Sequence, residues 1–147
     1  IAALARDAIS DVRRTDVHVT AHGLDNTMTV QGDEAQLRRM LRNLVHNAEQ
    51  HATTHLSIEL TAQAHAVTLK VSDDGPGIAP QDRERVFERF VRLDDARTRD
   101  SGGTGLGLAI VHDIVLRHDG HIRIDGVEPH GTTIVVELTS PVDAPSH

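Results

Sequence analysis

The run Ser101-Gly102-Gly103-Thr104-Gly105-Leu106-Gly107-Leu108-Ala109-Ile110 constrains this chain more than any other ten residues. Gly103, Gly105 and Gly107 alternate with other residues and lead straight into an apolar helical pattern. Alternating glycines let backbone N–H groups turn into one concavity, and the helix that follows adds its unpaired N-terminal donors. Such a turn suits a chain of phosphates. Glycine-rich turns are common, so the run gains its weight from what stands upstream: Asn43-Leu44-Val45-His46-Asn47-Ala48 and Asp73-Asp74-Gly75-Pro76-Gly77-Ile78. The three together point to an ATP site.

At 147 residues the chain has the size of one domain with a real core. With two Phe and no Tyr or Trp, that core must be Leu, Val, Ile and Ala. A net charge of −7 argues against a nucleic-acid surface. There is no cysteine, so disulfides and thiolate chemistry are excluded. No stretch reaches transmembrane length and no signal peptide is visible. The start at Ile1 leads us to expect a piece of a longer protein.

Apolar residues at helical spacing predict a first helix within Ile1 to Arg14. Alternation at Val17–Thr20 and again at Thr27–Gln31 predicts two short strands around a Gly/Asp/Asn turn. Asp33 is a good N-cap for a helix running to about His51, with Leu37, Met40, Leu41, Leu44, Val45 and Ala48 on one face. His55–Leu60 and Ala66–Val71 read as a strand pair, Gln81–Glu88 as a short helix, Val91–Gly105 as a mobile loop and Thr104–His118 as a second long helix. Strands at His121–Asp125 and Thr132–Thr139 complete the chain. The expected architecture is α/β, a two-layer sandwich with helices covering one face of a mixed β-sheet. One domain spans residues 1–140, followed by a loose tail over 141–147.

Asn43 and Asn47 are four apart on one helix and project from one side. Amide oxygens are hard, neutral ligands that suit Mg²⁺ beside a triphosphate. Two helix-surface amides are the plainer reading of the pair taken alone. Asp73 follows an apolar strand and precedes Gly75 and Gly77. A carboxylate there can accept from an exocyclic amine such as adenine's, while the glycines let a flat ring approach the backbone. An Asp-Gly turn explains the same residues equally well. Phe87 and Phe90 are three apart and are expected to pack as core, leaving Arg89, Arg92, Arg97 and Arg99 to reach phosphates or solvent. The eleven histidines include His51/His55 and His18/His22 at i, i+4 spacing. Neither pair has the companion carboxylate of a zinc motif, and surface histidines are expected rather than a metal site.

Taken in order, these motifs resemble the ATP-binding catalytic domain of bacterial sensor histidine kinases, within the gyrase/chaperone/kinase ATPase superfamily. The N box is similar to Asn43–His51, the G1 box to Asp73–Ile78, the F box to Phe87–Phe90 and the G2 box to Gly103–Leu108. Gly131-Thr132-Thr133 matches a last glycine box. The resemblance covers nearly the whole chain and implies the Bergerat ATP-binding fold. It implies that Asn47 binds Mg²⁺ with Asn43 assisting, that Asp73 reads the adenine amino group, and that Gly77 and Thr132 lie at the base. Gly75, Ile78, Gln50 and His51 complete the nucleotide pocket in that reading. The backbone at Gly103, Thr104, Gly105, Leu106 and Gly107 holds phosphates, and Arg89 to Gly103, with Arg92, form an ATP lid. Two positions depart from the family pattern. Gln50 stands where a lysine often meets a phosphate, and His51 where an aromatic often packs near adenine.

In that family the phosphate lands on a histidine in a separate helical dimerisation domain. His112-Asp113 lacks the sequel of a phosphoacceptor box, so the acceptor is expected outside this chain, with a response regulator downstream of it. Hydrolase relatives carry a glutamate at the first N-box position. Asn43 stands there, and an amide is no general base, which favours transfer over hydrolysis. The resemblance further implies a cytoplasmic domain, without membrane contact of its own, of a membrane sensor. Two rival readings are a serine kinase acting as an anti-sigma factor and a nucleotide-responsive module without transferase activity.

Overall fold

A computed structural model describes residues 1–24, 29–63, 65–88, 107–127 and 130–140. Helix α1 (Ala2–Ser10) is followed by strand β1 (His18–His22) and helix α2 (Glu34–His51). Strands β2 (His55–Gln63) and β3 (Ala66–Asp73) come next, then helix α3 (Gly107–Arg117) and strands β4 (His121–Gly126) and β5 (Thr132–Thr139). The sheet order is β1-β2-β3-β5-β4. Only β1 and β2 run parallel, and α2 makes the crossover that a parallel pair requires. All other neighbours are antiparallel. The expected α/β two-layer sandwich on a mixed sheet is therefore what the chain adopts.

Strict alternation decides which side of the sheet is covered. Leu56, Ile58 and Leu60 of β2, Val67, Leu69 and Val71 of β3, and Ile134, Val136 and Leu138 of β5 are buried against the helical layer. They meet Leu37, Met40, Leu41, Leu44 and Ala48 of α2, together with Val111, Ile114 and Val115 of α3. This is the aliphatic core the composition required. Each of these side chains contributes roughly 1.5–3 kcal/mol of transfer free energy when fully buried. The opposite side of the sheet carries Thr20, Ser57, Glu59, Lys70, Ser72 and Thr133, which line a polar depression of about 460 Å³. Val135 is the exception on that side, buried and flanked in register by Lys70 and Arg123.

Helix α2 begins where expected. The Asp33 carboxylate accepts from the Gln36 N–H at 3.1 Å, and Glu34 sits favourably in the first turn. The Asp33 N–H donates to His118 Nε2 at 3.1 Å, while His118 Nδ1 bonds the Ile114 carbonyl at 2.8 Å. The end of α3 is thereby tied to the start of α2. At its other end α2 stops at Ala52, whose backbone is extended. There Arg14 takes over the unpaired carbonyls: its Nη1 donates to the carbonyls of Glu49 at 2.9 Å and Ala52 at 2.7 Å. Asp16 holds the same guanidinium through Nε and Nη2, at 3.1 and 2.8 Å. In return, the Glu49 carboxylate accepts from the N–H groups of Arg13 and Arg14 at 2.7 and 2.8 Å.

Three expectations need correction. The alternation at Thr27–Gln31 builds no strand over residues 29–31; the Gln31 N–H makes one long bond to the Thr139 carbonyl, 3.4 Å, and the rest of that stretch lies outside the described residues. The short helix at Gln81–Glu88 is two 3₁₀ turns, Pro80–Asp82 and Arg85–Phe87. Too few apolar residues lie on one side there to hold a full α-helix. The first helix ends at Ser10, two residues short of Val12, the last apolar residue at helical spacing, and the residues beyond it brace the end of α2. The loop expected at Val91–Gly105 and the tail over 141–147 lie outside the described residues.

Candidate functional site

Among the described residues only two polar side chains are buried, Asp73 and Thr132. They are register partners at the adjoining ends of β3 and β5. Both point from the covered side of the sheet, in line with Val71 and Ile134, so strand alternation alone delivers them to the edge of the core. Asp73 Oδ1 accepts from the Gly75 N–H at 2.9 Å. No other hydrogen bond reaches this carboxylate among the described residues, leaving most of its acceptor capacity unspent. Burial pushes the Asp73 carboxyl above the usual aspartate range. The Gly75 N–H and nearby His51 pull it down without cancelling that, and Asp74 adds to the rise.

The turn after Asp73 has a steric reason for its glycines. A Cβ on Gly75 would fall 2.1 Å from the His51 carbonyl oxygen and 2.9 Å from Asp73 Oδ1. The last turn of α2 therefore sits directly against this loop. Gly131 has φ +136°, and a Cβ there would lie 2.5 Å from the Asp73 carbonyl oxygen. His130 closes the same corner, its Nδ1 donating to the Gly75 carbonyl at 3.0 Å. Asp73, Gly75, Gly77, Ile78, His51 and Thr132 are thus gathered where the ends of β3, α2 and β5 meet. Asp73 and Thr132 are buried, Ile78 is half-buried against the core, and His51 is exposed.

Asn47 and Asn43 lie one and two turns back from His51 along α2, both half-buried. Among the described residues neither side-chain amide makes a hydrogen bond, so both oxygens are available to a cation. The Asn47 carbonyl accepts from His51 Nδ1 at 2.8 Å, so that nitrogen is the donor. Gln50 is half-buried between them in sequence. Phe87 packs against the core and stacks on His112 of α3, with ring centroids 5.2 Å apart and planes 20° from parallel. Gly107 opens α3, and a Cβ there would meet nothing within 4 Å. Arg89, Arg92, Gly103, Thr104, Gly105 and Leu106 lie outside the described residues, as does Phe90.

Sequence reasoning gave no role to Asp74, which proves to be a hub. Its carboxylate accepts from the N–H groups of Thr53, Thr54 and His55 at 2.9, 3.0 and 3.0 Å, and from the Thr54 hydroxyl at 2.7 Å. Desolvation works to raise its pKa, but the Thr54 hydroxyl and the three backbone donors outweigh it and hold the carboxyl well below the ordinary range. The adjacent carboxyls, Asp73 and Asp74, are displaced in opposite directions because one is buried with a single donor and the other collects four. Arg14 and His130 were missed as well. Asp74 falls inside the G1 box and no motif marks the other two; no role could be read for any of them, since most of their partners are backbone groups brought close by the fold.

Residues 32–142 match the family described as histidine kinase-, DNA gyrase B- and HSP90-like ATPases. The chain belongs to that family. The matched span contains the Asn43/Asn47 helix, the Asp73–Thr132 corner and Gly107 together. The chain is 39% identical over 107 residues to the sensor histidine kinase CpxA of Escherichia coli K12, covering 73% of this chain and 23% of CpxA. It thus spans about a quarter of that relative's length. Its structure is similar to that of the mycobacterial sensor histidine kinase MprB, with a TM-score of 0.84, 33% identity and 94% of each chain covered. It is also similar to full-length ShkA, solved in complex with AMPPNP, with a TM-score of 0.77, 26% identity, and 95% of this chain and 30% of ShkA covered. The expected fold and family are therefore both found: this is an ATPase domain of the sensor histidine kinase type.

Proposed function

We propose that the chain binds Mg·ATP at the corner between α2, β3 and β5 and, within its parent protein, delivers the γ-phosphate to a histidine of a separate dimerisation domain. The observation that carries this reading is the buried Asp73–Thr132 pair. A fold does not bury a carboxylate with one hydrogen bond and no cation for stability's sake, because desolvating it is costly. A ligand amine recovers that cost. Adenine offers such an amine, and the glycines at 75, 77 and 131 let the end of α2 and the two loops close around the carboxylate. The AMPPNP held by the ShkA relative supports the same nucleotide class.

In this reading Asn47, assisted by Asn43, holds Mg²⁺. Their free amide oxygens are the hard, neutral donors that such an ion accepts alongside phosphates. When bound, the ion neutralises triphosphate charge. Gly107 and the rest of the Gly103–Gly107 run offer backbone N–H groups to the phosphates, and Arg89 and Arg92 supply cationic side chains. His51 and Gln50 border the pocket from α2. Asn43 cannot abstract a proton from water, so the domain positions ATP for attack by an imidazole rather than promoting hydrolysis. The imidazole nitrogen forms the new N–P bond as the γ P–O bond breaks and ADP leaves. The phosphate then passes to an aspartate of a response regulator.

No described helix is long and apolar enough to cross a membrane. The proposed setting is the cytoplasmic catalytic domain, residues 1–140 with a tail over 141–147, of a membrane sensor. The test is transfer in trans. Mixed with Mg·ATP and a dimerisation domain bearing a His box, the chain should label that histidine with an acid-labile, base-stable phosphate, and should label itself little. Strong self-labelling, or no labelling of any His box beside intact ATP binding, would overturn the proposal.

A further inference from the structure

Asp74 lies on the opposite side of the sheet end from Asp73 and so does not share its pocket. Its carboxylate instead gathers the whole exit from α2: the N–H groups of Thr53, Thr54 and His55 and the Thr54 hydroxyl, all within 2.7–3.0 Å. The Asp74 N–H returns a bond to the His55 carbonyl at 3.2 Å. This loop begins two residues beyond His51, the residue whose carbonyl oxygen would lie 2.1 Å from a Cβ on Gly75. Gly75 in turn carries the one N–H that aims the Asp73 carboxylate. The chain of contacts therefore runs from Asp74 through loop 53–55 to the end of α2, then across to Gly75 and Asp73. Arg14 braces the same helix end through the Glu49 and Ala52 carbonyls, and its guanidinium is near enough to Asp74 for their charges to interact.

We propose that Asp74 is a positioning residue for base recognition: by clamping loop 53–55 it fixes the end of α2 against Gly75 and so sets the aim of Asp73. This rests on the nucleotide-site reading above. Four charge-assisted bonds to one carboxylate make a stiff clamp, and such bonds are short and directional. Without it, loop 53–55 keeps only backbone ties, the Asp74 N–H to the His55 carbonyl at 3.2 Å and the His18 N–H to the Thr54 carbonyl at 2.7 Å, and loses the four bonds that hold it tightly to the G1 turn. Gly75, having no side chain, cannot restore that distance by packing. Selectivity between bases is sensitive to sub-ångström aim, whereas overall folding depends on the aliphatic core.

The experiment uses Asp74→Ala, Asp74→Asn and Thr54→Val in the chain 1–147. Thermal unfolding is followed first, and affinities for Mg·ATP and Mg·GTP are then measured well below each variant's Tm. The expected result is that folded Asp74→Ala binds Mg·ATP about tenfold or more weakly and loses much of its preference over Mg·GTP. Thr54→Val, lacking only the hydroxyl, should show a smaller change in the same direction, with Asp74→Asn between the two. A lowered Tm with unchanged affinity and unchanged base preference would overturn the proposal and leave Asp74 a stabilising residue only. Should Asp74→Ala not fold, the same criterion applies to Thr54→Val and Asp74→Asn. A wild-type chain that binds both nucleotides equally, or neither, would remove the site reading itself and the positioning role with it.

Discussion

Asp73 and Asp74 are chemically identical, adjacent and opposite in behaviour. Burial raises the Asp73 carboxyl, and a raised folded value means that the fold favours its protonated form. Its contribution to stability is present below the ordinary aspartate range and is lost as pH rises through the raised value. At pH 8 the ionised group is thus a burden on the empty fold. Asp73→Asn keeps the Oδ1 acceptor for the Gly75 N–H and removes the charge, so its Tm at pH 8 should equal or exceed that of the wild type. Its binding should move the other way. Losing one charge-assisted bond to the base costs roughly 1.5–3 kcal/mol, and the preference for ATP over GTP should collapse. Calorimetry beside thermal unfolding checks both signs, and an unchanged preference would make Asp73 a turn residue. For Asp74 the linkage is reversed: its stabilisation is present above the ordinary range and is lost only as pH falls through its lowered value. The sequence marks both residues as part of one Asp-Asp-Gly turn. It could not separate their roles, because the difference lies in which side of the sheet end each one faces.

At the scale of elements, the strongly periodic segments were legible and the weakly periodic ones were not. Helix α2 announces itself through the Asp33 cap and six apolar residues on one face, β2 and β3 through strict alternation, and β5 through alternation broken only at Val135. Thr27–Gln31 alternates too, yet residues 29–31 join no ladder. Alternation permits a strand but does not supply a ladder, and Gln31 makes only one long backbone bond, to the Thr139 carbonyl at 3.4 Å. The residues after Ser10 read as a helix end and serve instead as a brace, which only the fold reveals. Arg14 is the keystone of that brace, donating to two carbonyls of the α2 terminus while Asp16 and Glu49 hold it and its backbone. Arg14→Ala should lower stability by roughly 1–3 kcal/mol, since it leaves a partly buried helix end uncapped. Arg14→Lys should recover only part of this, because an ammonium cannot span the fork. Chemical denaturation with constant m-values checks the prediction. A surface pair such as Arg42–Asp11 should cost far less when broken.

At the scale of the whole molecule, the described residues form an aliphatic two-layer sandwich, and the two buried polar side chains among them lie where α2 and β3 end and β5 begins. A core without Tyr or Trp depends on close aliphatic packing, and this pair concentrates the cost of buried polarity at the proposed site. The order of the motifs in the chain made the family legible before the fold was known, and among the described residues the end of α2, the Asp73–Gly75 turn and Thr132 meet at one corner. What the order could not convey was the bracing behind that corner, in Asp74, Arg14 and His130, whose partners are backbone groups distant in sequence. The most direct test of the central claim is titration calorimetry of the chain with Mg·ATP, with ATP in excess chelator, and with Mg·GTP, repeated for Asn47→Ala. Saturable binding of Mg·ATP is expected, at least about tenfold weaker when the metal is removed or Asn47 is replaced, with Mg·GTP binding weaker still. Indifference to both the metal and the base, or no binding of any of them, would contradict that claim.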